Sequence, residues 1–211
     1  MENEVNRTAM SIRLTSTLIL FAAVITSALG APMKKPDIKQ NSHPTMRYAL
    51  TVTVDGAPGP FDAVSGSVDY KVSNGHCVPL TPISGATIAP ENHASIALTR
   101  VSEHVYTGTI YADLMQDEDY YGMGVCHWSA VAAAATFKVN AVSFSPAISL
   151  DEIVAQKSVT RFFSNRSYLS AEKGSTDMLP VDTGESSAAA YKPELQGQLF
   201  SITLSAKEAF Q

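Results

Sequence analysis

The sequence predicts an all-β protein, a mostly antiparallel β-sandwich of about eight strands with one short helix and one disulfide. Three observations carry that prediction. Apolar residues alternate with polar ones in run after run, spaced as sandwich strands are. Only one segment carries a helix start signal. The two cysteines, Cys77 and Cys126, lie far apart in a chain that opens like an exported protein.

The export reading rests on Leu14 to Ile25, nearly all apolar and preceded by Arg13. That run is too short to span a bilayer. Ala28 and Gly30 supply the small residues a signal peptidase needs, placing cleavage before Ala31. Residues 1–30 are therefore read as a signal peptide. The acidic opening Met1-Glu2-Asn3-Glu4 is foreign to such a segment and Met10 makes the better start, which leaves residues 1–9 as an over-long start. No cysteine lies near the cleavage position, so no lipid anchor is expected. The mature protein is expected in the periplasm or secreted, with no stable membrane anchor.

Residues 31–45 form a polar lead, and residues 46–211 a single domain large enough to bury a real core. Hydrophobic residues make up 45 % of the chain and charged ones 17 %, and the formal net charge is −5. The charges in the signal cancel, so the mature chain keeps the full negative balance. Nucleic acid and anionic lipid both demand a basic face and are excluded as main partners; a cationic partner fits.

Along the chain, Tyr48, Leu50, Val52 and Val54 alternate with small polar neighbours until Asp55-Gly56. Val64 to Val72 repeats the pattern and ends at the turn signal Asn74-Gly75. Prolines 79, 82 and 90 make the following stretch a connection rather than a central strand. Ala94 to Ser102 and His104 to Ala112 read as a strand pair, and Gly122 to Val139 as the longest extended run. Within it Cys126 and Trp128 share one face and His127 the other. Ala141 to Ser145 is a short strand. Ser149 with Glu152 is a capping box opening the one helix, expected to end near Lys157. Thr160 to Leu169 reads as a strand, Ser170 to Gln196 as a polar stretch either functional or mobile, and Leu199 to Leu204 as the last strand.

A Cys-His pair in each of Gly75-His76-Cys77 and Val125-Cys126-His127 raises metal, thiol and bridge readings. Adjacent strand residues point to opposite faces, so these four side chains converge poorly on one tetrahedral ion. A catalytic thiol must be free, and an oxidising compartment pairs it. The bridge is preferred; closing a loop of about 50 residues, it contributes roughly 4 kcal/mol.

The densest polar cluster is Asp113, Asp117, Glu118 and Asp119 followed by Tyr120 and Tyr121. A calcium loop of the EF-hand type would need glycine at its sixth position and glutamate at its twelfth, where this chain has Glu118 and Gly124. Adjacent acids on one loop also do not make the facing pair that glycoside hydrolysis requires. No G-x-S-x-G, H-E-x-x-H or phosphate-binding glycine loop occurs. These six residues are read as an acidic, tyrosine-bearing surface for a protein partner, since tyrosine favours interfaces and carboxylates steer cationic surfaces. The expected function is a non-enzymatic, cofactor-free binding protein of the inhibitor or immunity type, meeting a basic hydrolase or toxin outside the cytoplasm. The alternatives are a structural or assembly module of an envelope or secretion apparatus, which would use an exposed strand edge, and a cell-wall hydrolase.

Overall fold

The computed structural model describes residues 36–82, 84–174 and 179–210; the segment read as a signal peptide and its expected cleavage position lie outside them. Two sheets face each other. In chain order the strands are β1 (Arg47–Asp55), β2 (Ala63–Val72), β3 (Glu91–Ile96), β4 (Thr99–Arg100), β5 (Val105–Tyr111) and β6 (Trp128–Val139). Then follow β7 (Val142–Phe144), β8 (Ala147–Ser149), β9 (Ser158–Ser164), β10 (Val181–Asp182) and β11 (Leu199–Glu208). One sheet runs β4-β5-β1-β11-β9 and the other β10-β7-β6-β2-β3, with β8 pairing β6. All pairings are antiparallel except β10 on β7. The sandwich predicted from alternation is thus present, and β1 against β11 joins the two ends of the described chain.

Alternation dictates the core. Tyr48, Leu50, Val52 and Val54 of β1 and Phe200, Ile202, Leu204 and Ala206 of β11 are buried, facing Val68 and Tyr70 of β2 across the sandwich. Burying such side chains contributes about 1.5–3 kcal/mol each. On β6 the parity changes midway. Tyr70 pairs with Ala130 but Asp69 with Ala132, so Val131 is bulged out and exposed. The extra residue lets Ala130 and then Ala133, Ala135, Phe137 and Val139 all face inward, which a strict period of two would forbid.

Three expectations are corrected. Ala94 to Ser102 is not one strand: β3 pairs with β2, Ala97-Leu98 crosses between the sheets, and only Thr99-Arg100 pairs with β5. The crossing fits because two glycines leave room for it. A Cβ on Gly66 would lie 3.1 Å from Ile96, and one on Gly108 would lie 2.9 Å from both Ile96 and Leu98. Second, the run read as a strand through Leu169 stops at Ser164, whose side chain caps a second helix, α2 (Asn165–Glu172), by accepting from Arg166 N. Tyr168 and Ala171 are its buried face, a helical spacing of three that pairs poorly with strand periodicity. Third, β6 begins only at Trp128, and residues 122–127 are irregular. The first helix, α1 (Leu150–Val154), carries the predicted capping box, with Ser149 and Glu152 each accepting from the other's backbone N–H.

The described part of the long polar stretch is structured. Ser143 N donates to Pro180 O and Ser145 N to Asp182 O, attaching it to the edge of one sheet. Phe162 and Glu185 exchange both backbone hydrogen bonds, attaching it to the edge of the other. Tyr191 Oη donates to Phe162 O at 2.8 Å, and burial raises the tyrosine pKa to about 12. The segment closes the β7/β9 side of the sandwich.

Candidate functional site

The lead packs on the acidic segment. Gln40 bridges Met115, Asn41 N donates to Leu114 O, and Gln116 N donates to Lys39 O. Ile38 reaches the main core. Residues 36–45 and 113–118 therefore form one tied pair of extended segments beneath β1 and β5.

Each carboxylate of the cluster has a partner within the chain. Asp113 accepts from Thr45 N at 2.8 Å, Thr45 Oγ1 at 3.1 Å and Met46 N at 3.0 Å, fixing the entry to β1. Asp117 accepts from Trp128 N at 2.8 Å and faces His127 Nδ1 at 2.6 Å. Glu118 meets Lys39 Nζ at 2.8 Å, and that hydrogen bond raises the lysine pKa. Asp119 accepts from Met123 N at 3.0 Å, closing the turn through Gly122. Hydrogen bonds to carboxylates are shorter and stronger than neutral ones, an advantage that solvent screening reduces at this exposed end.

The disulfide holds the other side of this end. Cys77 and Cys126 are joined, with Cα atoms 5.3 Å apart. They sit in a small core of their own with Val72 and Val78, against which Ala89, Tyr120, Tyr121 and Trp128 pack. Trp128 meets Tyr120 edge-on at 6.5 Å, so the tryptophan does lie beside the bridge. Cys126 N donates to Glu118 O, and Asn74 ties down both flanks: its Oδ1 accepts from His127 N and its Nδ2 donates to Val125 O. His127 faces out, opposite Cys126 and Trp128.

The predicted site residues are thus brought together, but not as a loose acidic hairpin. Tyr120 is turned inward, its hydroxyl donating to Gln116 O at 2.7 Å. Tyr121 is half-buried, and burial raises its pKa. Two apolar side chains stand exposed among them: Met123, between Gly122 and Gly124 with their positive φ, is 49 % exposed, and Val125, just after Gly124, is 44 % exposed. A Cβ on either glycine would meet nothing within 4 Å, so these glycines serve the turn and not close packing. Sequence reading passed over Met123 and Val125 because the acids dominate the local composition. The exposed rim consequently combines the carboxyl edges of Asp117 and Asp119 with two apolar side chains.

A second histidine–carboxylate pair bears on chemistry. His93 Nδ1 lies 2.6 Å from Asp69 Oδ1, matching the His127–Asp117 contact. Among the described residues no Ser, Thr or Cys side chain is hydrogen-bonded to either ring, so neither pair has the nucleophile an acyl-transfer site would use. Ser42 meets His43 at 2.8 Å without an acid behind the ring. Among the described residues no group of three His, Cys, Asp or Glu is placed to hold a metal ion. No described helix is long and apolar enough to cross a membrane. No known family, curated protein or solved structure matches the chain.

Proposed function

We propose that this chain is an exported, non-enzymatic binding protein that docks a cationic protein partner with its disulfide-fixed end, in the manner of an inhibitor or immunity protein. The observation that carries the reading is the exposure of Met123 and Val125 on a turn whose flanks are held by Asp117, Asp119, Asn74 and the Cys77–Cys126 bridge. Apolar side chains on a rigid loop lose little entropy on binding, and a surrounding rim of carboxylates speeds encounter with a basic surface. The overall charge of −5 adds to that steering. Export is supported by the apolar, small-residue N-terminus and by a disulfide, which persists in oxidising compartments.

The test replaces the exposed side chains and leaves the carboxylates alone, because the latter hold the fold. Mature protein is used to capture proteins from the extracytoplasmic fraction of its host, beside Met123→Lys/Val125→Lys. The reading expects one stoichiometric basic partner, bound less tightly at high salt and at least about tenfold less tightly by the double variant, through lost contact and like-charge repulsion. Equal capture by both proteins, or no stoichiometric partner, contradicts it.

A further inference from the structure

The two open sides of the sandwich differ. The β7/β9 side is closed by the segment from Pro180 to Tyr191, whereas among the described residues the β3/β5 side is crossed by Ala97-Leu98 alone. Beside that crossing lies a cavity of about 640 Å³, lined by Val68 and Tyr70 of β2 and by Gln40 and Leu114. Its walls are the edges of β3 and β5.

The hydrogen bonds of the neighbouring strands determine which backbone groups face it. Ala112 N donates to Met46 O and Val54 N to His104 O, so in this register the even-numbered residues of β5 point to β1. The odd-numbered ones point outward. Thr107 is opposed by Thr99, but Thr109 and Tyr111 are beyond the end of β4. Likewise Val72 N donates to Pro90 O, which turns the even residues of β3 toward β2 and leaves His93 and Ser95 facing out. Among the described residues, the N–H and C=O of His93, Ser95 and Thr109 and the N–H of Tyr111 have no backbone partner. The Tyr111 carbonyl is taken by the Tyr70 hydroxyl at 2.6 Å.

We infer that this slot is an acceptor for an extended polypeptide segment of a partner protein, which continues the row that β4 begins. Unpaired backbone N–H and C=O groups select an extended backbone over any other ligand. Packed sheets lie about 10 Å apart and paired strands about 4.8 Å, so one segment in the mouth of the sandwich reaches both edges. The inner wall is small and neutral: Ala94 points inward beside Val68, and Ser95, Thr99, Thr107 and Thr109 border it. Among the described residues that line it there is no Asp, Glu, Lys or Arg, and His93 at its border faces Asp69 at 2.6 Å. The accepted segment therefore carries uncharged side chains, small or β-branched at the positions that point inward. The edge from Thr109 to Tyr111 is short, so the pairing is local and specific in register. This site is separate from the Met123–Val125 end, and either can fail without the other.

The probe is a capped octapeptide of alternating Thr and Val, titrated into the mature protein and read by amide spectra and hydrogen exchange. The slot reading expects shifts and slowed exchange at the amides of His93, Ser95, Thr109 and Tyr111. The same peptide N-methylated at every second residue binds at least about tenfold more weakly, since half its donors are lost. Ala94→Phe fills the slot, and Thr109→Pro removes an outward N–H without touching the β1 pairing; both keep the far-UV spectrum and lose the peptide. No response at these four amides overturns the inference, as does equal binding of the N-methylated peptide. Protection of the same amides with protein concentration in the absence of peptide also overturns it, since a second copy is then the occupant.

Discussion

Asp182 shows how a single carboxyl is held at odds with its charge. Burial raises its pKa, opposed by the hydrogen bond from Gly184 N and reinforced by Glu185 nearby. A raised folded-state pKa means that the native protein holds this proton more tightly than the unfolded chain. Ionisation thus weakens the fold: stability falls as pH rises from the ordinary carboxyl range through the raised value, and the loss is complete above it. Asp182→Asn keeps the acceptor for Gly184 N and carries no charge. Its melting temperature is expected to exceed the wild type's at neutral pH, with the gap closing as the pH falls into the acid range; a gap independent of pH contradicts the burial account. Asp113, Asp117 and Asp119 also accept from backbone N–H groups, but at the solvent boundary. Composition announced them as a cluster, but could not reveal that their lone pairs are used within the chain, because Thr45, Met46 and Trp128 come from distant segments.

Among the elements, those with a clean period were legible: β1, β2 and β11 alternate in sequence as they do in burial. The capping box of α1 was equally plain, since Ser149 and Glu152 are local partners. Misreadings occur where tertiary contact overrides pattern. The break between β3 and β4 depends on Gly66 and Gly108, which lie on other strands, and α2 depends on Ser164 as a cap and on Tyr168 reaching the carbonyl of Pro60. The disulfide is an element-scale device as well. It spans 49 positions, and in the chain-entropy model its loss costs about 4 kcal/mol. Neither cysteine belongs to the main core, so the cost falls first on the end they hold. Cys77→Ala/Cys126→Ala is expected to lower stability to urea by about 3–4 kcal/mol while keeping the β spectrum of the sandwich. A loss of all sheet signal in the absence of urea would mean that the bridge supports both cores.

At the scale of the whole molecule, the sandwich is a frame with one side closed, one side open and one end stapled. The closing segment attaches to both sheets through Asp182 and Glu185, and the staple joins the connection after β2 to the start of β6. Binding regions on such a frame are expected where backbone is held but side chains are free. The end around Met123 and Val125 meets that condition only if the acidic segment is rigid. Amide hydrogen exchange on the oxidised protein measures this directly, at Met123, Cys126 and Trp128, whose N–H groups donate to Asp119, Glu118 O and Asp117. The structure predicts protection of all three at a level approaching that of β1, falling sharply at Met123 and Cys126 when the disulfide is reduced while β1 stays protected. Exchange of these amides at the rate of an open loop in the oxidised protein would contradict the account.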